Sequence, residues 1–305
     1  MFGRRTDRQT SAPTQSDTEE MGSDEMATRS VPGKGGSGGT GVAEPAAEVD
    51  DGQHGFGIDI GGSGIKGAPV DLKGGHFAAE RLRIPTPSPS TPGSIADVVA
   101  NIVGSFGARA GDRAIGVTFP AVIQHGVART AANVDSAWIG TDIDALFTAR
   151  LGRRVHVVND ADAAGLAEAR FGAARDVQGV VIVVTLGTGI GSALLLDGKL
   201  VPNTELGHLE IDGHDAESRA ADSAREREAL SWEKWAHRLQ TYFQTLEKLF
   251  WPDLIVVGGG VSKKSQKFLP LLELRTPIVP AQLLNDAGII GAAVLASEEA
   301  PATVR

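Results

Sequence analysis

The stretch GIDIGGSGIKG, residues 57–67, sets glycines at 62, 64 and 67 in the G-x-G-x-x-G spacing of a dinucleotide-binding turn. Such a turn joins a strand to a helix whose N-terminus lies under a pyrophosphate, with an acidic residue about 20 positions further on. Only the strand is present. After Gly67 the chain reads APVDLKGGHFAAERLRI, where Lys73-Gly74-Gly75 divides short apolar and polar stretches, so the pattern predicts strand, tight turn, strand. A P-loop is excluded as well, because Lys66 is followed by Gly67 and not by the Ser or Thr that holds magnesium. What survives is a glycine hairpin with chemistry on it. Asp59 lies in the apolar strand 56–60, and the turn Gly61, Gly62, Ser63, Gly64 leads to Lys66. Backbone N–H groups, a hydroxyl and a cation can hold phosphate oxygens, while Asp59 can hold a magnesium ion through water. The same glycines also suit an ordinary hairpin that needs positive φ, and the rest of the chain has to decide.

The 305 residues are not uniform. Residues 1–53 are rich in Ser, Thr, Gly, Pro and acids, include GKGGSGGTG, and read as a disordered tail. All three methionines, Met1, Met21 and Met26, fall in it, so each is a candidate start. The remaining length, about 250 residues, is enough for one large or two modest cores. The tail holds ten acids against five bases, which accounts for −5 of the formal charge of −9 and leaves −4 on the body. That near balance argues against nucleic acid or a membrane surface as partner. There is no cysteine, hence no disulfide framework and no thiolate zinc site. No signal-like stretch and no apolar run of about 18 residues is present, so the expected location is cytoplasmic.

Along the body, three strands with glycine turns are expected from 56 to 84, then the breaker PTPSPSTP. Ser94 is expected to cap a helix reaching about Phe106, with Ile95, Val98, Val99, Ile102 and Val103 on one face. AIGVTFPAVI and VARTAANV read as two strands around Gln124-His125-Gly126, and TDIDALFTARLG reads as a capped helix closed by glycine. RRVHVV is a buried strand and 162–171 a helix; strands alternating with helices make the body α/β. The segment VVIVVTLGTGIGSALLL, residues 180–196, repeats strand, glycine turn, strand, a faint internal duplication of the first hairpin. LIVVGGGVSKK, residues 254–264, runs a third apolar strand into Gly258, Gly259 and Gly260. Three strands thus end in turns that can approach phosphate.

VHVVNDADAAG places Asn159 and Asp160 at the C-terminal end of a buried strand, the edge where open α/β sheets bind ligands. Asn159, Asp160 or Asp162 would also serve as a plain helix cap. Beside phosphate-holding turns, Asp160 is the candidate to take a proton from an attacking hydroxyl. NTELGHLEIDG brings Glu205 and His208 together as candidates for neighbouring sugar hydroxyls, and AANVDSAW adds Asn133.

DIGGSGIKG, VNDAD, LGTGIG, ELGH and LIVVGGGVS stand in the order found in the ROK group of bacterial sugar kinases, of the actin-like (ribonuclease H-like) superfamily, which the chain resembles over roughly 55–298. The resemblance implies two α/β lobes around a cleft: 54–158 joined by a C-terminal helix at 286–298, and 159–285. It implies phosphoryl transfer to a sugar hydroxyl with Asp160 as general base. Asn133, Asn159, Asp160, Glu205 and His208 would bind the sugar, and the glycine turns, with Thr188 and Gly189 in the second, would hold the donor. Most members follow the GH pair with a zinc-binding cysteine cluster. Here that stretch, LEIDGHDAESRAADSARERE, has no cysteine, so no zinc is expected and Glu217 is the candidate for the carboxylate placed after the cluster. This stretch, LSWEKWAHRLQTYF and VSKKSQKFLPLLELRTPIVPAQLLNDAGIIGAA resemble the polyphosphate glucokinases of that group, which implies glucose as acceptor, inorganic polyphosphate with ATP as a second donor, Mg²⁺, and a homodimer. Lys263, Lys264 and Lys267 follow the third turn, with 263 and 267 one helical turn apart, and are candidates for a basic row under a polyanion or for a solvated face. Arg225, Arg227, Lys234 and Arg238 are interleaved with glutamates and are not assigned. Trp232, Trp235, Leu239, Tyr242, Phe243, Leu246 and Phe250 recur at helical spacing as core or subunit interface. The rival readings are an ATP-only hexose kinase, and a sugar-responsive regulator, which would need a DNA-binding unit that residues 1–53 lack the apolar periodicity to build.

Overall fold

A computed structural model describes residues 54–131 and 134–298; the tail 1–53 and Asn133 lie outside the described residues. The first sheet opens with β1 (His54–Gly61), β2 (Gly64–Asp71), β3 (His76–Phe77) and β4 (Leu82–Ile84), followed by helix α1 (Pro92–Phe106), β5 (Ile115–Phe119), the small hairpin β6 (Ile123–Gln124) and β7 (Val127–Ala128), helix α2 (Ile143–Leu151) and β8 (Val155–Asn159). Helix α3 (Asp160–Phe171) leads to the second sheet with β9 (Val180–Leu186), β10 (Ile190–Leu196) and β11 (Lys199–Val201). Then come β12 (Glu210–Ile211), β13 (His214–Asp215), α4 (Ala216–Ala220), α5 (Asp222–Arg227), α6 (Trp232–Phe250), β14 (Leu254–Gly258), β15 (Ile278–Pro280) and α7 (Ala287–Glu298).

The two sheets repeat one topology. Their orders are β3-β2-β1-β5-β8, with β4 also on β2, and β11-β10-β9-β14-β15. Each begins with an antiparallel meander and continues with two parallel strands. The duplication read in the two glycine hairpins therefore extends to whole sheets, and the molecule is a two-lobed α/β fold of the actin-like kind.

Strand periodicity decides which residues face the space between the lobes. Phe56, Ile58 and Ile60 of β1 and Ile115, Val117 and Phe119 of β5 share a core with Ile95, Val99 and Ile102 of α1. The alternate residues Gly57, Asp59, Gly116 and Thr118 must then point to the other face. That face is covered by α7, which packs on β1 and β5 and against α3, while α3 packs on β9 and β10. A Cβ on Gly57 would lie 1.9 Å from the Ile289 carbonyl oxygen, so the helix rests directly on the strand. In the second lobe Trp235, Leu239, Tyr242, Phe243 and Leu246 of α6 are buried against Ile182, Val184 and Leu186, with Trp232 and Phe250 partly buried at the margin; this stripe is core. Trp232 also stacks on Phe268 at 6.1 Å and takes the Arg225 guanidinium over its ring at 4.4 Å.

Local readings need three corrections. The cap of α1 is Thr91, whose side chain accepts from Ser94 N–H; Ser94 is inside the helix, because Pro92 suits the first helical position. The VARTAANV strand shrinks to Val127–Ala128. Residues Gly260–Lys267 form a tight 3₁₀ stretch broken at Lys264 (φ −113°, ψ 20°), so Lys263 and Lys267 are not one α-turn apart.

Candidate active site

A cleft of about 980 Å³ lies between the sheets, lined by Gly61, Gly62 and Ser63 of the first glycine turn, by the second (Gly187, Thr188, Gly189), by Gly258 and Gly259 of the third, and by Asn159, Asp160, Glu205, His208 and Glu217. All three turns and the sugar candidates, apart from Asn133, thus open on one space. Gly64, Gly260, Lys263, Lys264 and Lys267 fall outside that lining; Gly64 is buried, with the Arg83 guanidinium against it, and the three lysines are exposed, with Lys267 Nζ 5.5 Å above the Trp232 ring. A separate shallow depression on α6 near Glu233, His237 and Glu273 is remote from the turns and carries none of these groups.

Register builds the Asp59 end. Asp59 is paired directly with Lys66 across the hairpin and with Thr118 on the parallel neighbour, so all three share the face toward α7. Lys66 Nζ sits 3.0 Å from Asp59 Oδ2, and Thr118 Oγ1 donates to Asp59 Oδ1 at 2.9 Å. Both carboxylate oxygens are oriented by neighbours while the group stays partly open to the cleft. Thr118 was invisible in the sequence, since only the β1–β5 register brings it to Asp59.

The second turn is held from behind. Glu217 Oε2 accepts from Ile190 N–H at 2.7 Å, and Ser223 Oγ donates to the Thr188 carbonyl at 2.6 Å. A Cβ on Gly189 would lie 2.3 Å from Glu217 Oε2, so glycine is what allows the carboxylate to sit under this turn. Ser262 Oγ likewise braces the third turn through the Gly259 carbonyl at 2.7 Å.

Asn159 caps α3: its Oδ1 accepts from Ala161 and Asp162 N–H at 2.8 and 3.2 Å, and its Nδ2 donates to the Ala121 carbonyl at 3.1 Å. The capping role is therefore real, and one amide hydrogen remains for a ligand. The cap turns Asp160 to the cleft floor, where Ala161 N–H bonds its Oδ1 at 2.9 Å. Enclosure by the cleft walls, then the Asp59 charge and more weakly Glu205, push the Asp160 carboxyl up to about 6 against the two backbone hydrogen bonds. Its surface is nonetheless exposed to water along the cleft, which moderates that rise. Opposite, His208 Nδ1 pairs with Asp215 Oδ2 at 2.8 Å, which raises the imidazole pKa, while Glu205 is raised chiefly by burial. His208 Nε2 is 3.9 Å from Glu205 Oε2.

A second carboxyl, Asp162, is not the helix cap its position suggests, since Asn159 holds that place. Asp162 is fully buried; its Oδ2 accepts from Asn203 N–H at 2.7 Å, while Oδ1 has no partner. Burial, with Glu205 and Asp160 adding to it, pushes this carboxyl up to about 7. A raised folded-state value means the stabilising proton is held at low pH and lost as pH rises toward 7. Asp160 acts in the same direction, so only a substitution separates them. Asp162→Asn, which fixes the neutral form, should differ least from the wild-type thermal midpoint below about pH 4, where folded and unfolded carboxyls are both protonated, and exceed it by several degrees at pH 8. Melting curves across that range check it; a difference independent of pH would remove the assignment.

The sequence profile of the ROK family matches residues 55–222. Polyphosphate glucokinase of Mycobacterium tuberculosis is 51% identical over 243 residues, which cover 79% of this chain and 91% of that protein. The polyphosphate glucokinase of Mycobacterium leprae is 48% identical over 247 residues, 81% of this chain and 75% of that one. Among solved structures, the inorganic polyphosphate/ATP-glucomannokinase of Arthrobacter sp. strain KM is 60% identical with a TM-score of 0.76, covering 80% of this chain and 98% of that one. The ROK family glucokinase of Streptomyces griseus, solved with glucose and AMPPNP, shares the fold at a TM-score of 0.68 and 24% identity, over 81% of this chain and all of that one. Paired sheets, three glycine turns on one cleft and these likenesses lead to one conclusion: the chain belongs to the ROK family.

Proposed function

We propose that this protein transfers a phosphoryl group from inorganic polyphosphate to the 6-hydroxyl of glucose, with ATP as a second donor. The observation that carries the reading is the position of Asp160, on the floor of a cleft faced by all three glycine turns and by Glu205 and His208. Asn133, Asn159, Glu205, His208 and Glu217 hold the sugar hydroxyls. The O6 oxygen attacks the terminal phosphorus, its proton passes to the Asp160 carboxylate, and the bond to the departing phosphate oxygen breaks. Phosphoryl transfer needs alignment and charge neutralisation more than covalent help. Main-chain N–H groups of Gly61, Gly62, Ser63, Thr188, Gly189, Gly258 and Gly259, with Lys66, provide both.

Magnesium fits this site in one manner. A single partly open carboxylate, Asp59, already braced by Lys66 and Thr118, matches an ion that keeps most of its water and leans on donor phosphates. Asp59 would hold it through water, and the ion would neutralise charge on the phosphoryl oxygens. The chain's division at 54–158 with 286–298 and 159–285, a cytoplasmic location and a homodimer belong to the same reading.

A coupled assay for glucose 6-phosphate with polyphosphate and ATP supplied separately tests it; formation with ATP alone would reject the donor. Outside the cleft lining, Lys263, Lys264 and Lys267 still stand beyond the third turn, where a long polyanion would emerge. Their joint replacement by alanine should raise KM for long polyphosphate at least about fivefold, leave ATP nearly unchanged and flatten the salt dependence. Equal effects on both donors would take these lysines out of the donor path.

A further inference from the structure

The loop that carries Glu205 and His208 follows β11 of the second sheet, yet it is tied to the first lobe. Asn203 Nδ2 donates to the Ile123 carbonyl at 2.7 Å, and its Oδ1 accepts from Ile123 N–H at 2.8 Å. One side-chain amide therefore engages both backbone groups of a single residue in β6, as a neighbouring strand would. The Asn203 N–H is taken by the buried Asp162 at 2.7 Å, at the start of the helix that carries Asp160. Asn203 has φ +60°, a left-handed conformation that asparagine tolerates better than most residues. On its other side the loop is pinned to β10: Ser192 Oγ donates to the Thr204 carbonyl at 2.6 Å and accepts from Leu206 N–H at 2.9 Å. Asn159 Nδ2, bonded to the Ala121 carbonyl, draws the same 121–123 segment to the base helix.

Resting on the reading of Glu205 and His208 as sugar ligands, we propose that Asn203 is the positioning residue of the acceptor site: its amide clamps the sugar loop to Ile123 across the cleft, so the glucose subsite is assembled before glucose arrives. Only an amide satisfies both Ile123 groups; a carboxylate cannot donate and an apolar side chain can do neither. Preorganising the loop removes its ordering cost from sugar binding and leaves the donor turns, which share no hydrogen bond with Asn203, unaffected.

The test compares the full chain with Asn203→Gly and Asn203→Asp. Glycine accepts φ +60° without strain, so Asn203→Gly deletes the clamp and preserves the turn. Asn203→Asp keeps an acceptor for Ile123 N–H, loses the donor and adds a charge beside Asp162. In steady-state assays with polyphosphate, Asn203→Gly should raise glucose KM about tenfold, with donor KM changed less than about twofold. Asn203→Asp should be at least as severe. The stabilisation of the melting point by glucose alone should need correspondingly more sugar. If wild type phosphorylates glucose and Asn203→Gly keeps its glucose KM, or loses glucose and donor KM in parallel with its melting point, the clamp is overturned. A wild-type protein without glucose-dependent activity or stabilisation overturns the sugar-site reading, and the clamp's purpose with it.

Discussion

Asp160→Asn is expected to lower kcat for glucose phosphorylation at least about 100-fold, while glucose KM stays within a few-fold. The amide is nearly isosteric, and its oxygen can still accept from Ala161 N–H, so the start of α3 and the cap at Asn159 should persist. What the variant loses is a group that can take the O6 proton as the bond to phosphorus forms. Because the base works only when ionised, and burial with the Asp59 charge raises it toward about 6, kcat/KM of the wild type should fall as pH drops below about 6. The residual activity of Asp160→Asn should lack that acidic limb. Asp162→Asn should retain it at the same pH, since the buried Asp162 carboxyl still holds its proton where Asp160 titrates. Near-normal turnover in Asp160→Asn, or an unchanged limb in its residual rate, would remove the base assignment.

Much of this site was legible because its chemistry follows from local pattern. A strand, a glycine turn and a strand are written in consecutive residues at 54–71 and again at 180–196, so both hairpins could be anticipated, while the cleft between them came only with the family resemblance. Asp160 was legible because a polar pair ended an apolar strand. The supporting residues were not, for a common reason: their roles depend on register and on partners far along the chain. Thr118 reaches Asp59 only through parallel pairing, and Asn203 reaches Ile123 across 80 positions, although it stands two residues before Glu205 in a stretch that drew attention. Asp162 reads as one more helix-start acid until packing buries it. The α1 cap was misplaced by three residues because Ser94 was weighed without Pro92, which already fixes the first turn. The lysines after the third turn were placed on an α-helical grid that the glycine-led segment does not follow.

Gly116→Ala should be the most damaging change that touches no candidate ligand. In β5 the even positions face α7, and a Cβ on Gly116 would lie 1.8 Å from the Ala292 carbonyl oxygen. Backbone cannot rotate out of the way as a side chain can. The helix cannot back off freely either, because its other side meets α3 with equal closeness: a Cβ on Gly291 would lie 1.8 Å from the Ala163 carbonyl oxygen. Relief therefore moves α3 together with α7 or opens the first sheet, and the expected loss is on the order of 3–5 kcal/mol, with a melting point roughly 10 °C lower. Activity should fall further than stability at permissive temperature, since α3 starts at Asp160 and Gly288 of α7 packs near Asp59, within 3.6 Å of Oδ1 measured from its would-be Cβ. A methyl group in β5 would thus alter the separation of base and donor site. Gly104→Ala is the control: it lies inside α1 with nothing within 4 Å of the added Cβ, and helix propensity predicts a gain of about 0.5–1 kcal/mol. Equal melting points for the two variants would show that α7 does not bear on β5 as closely as described, and the rigid coupling of the two lobes through that helix would fall with it.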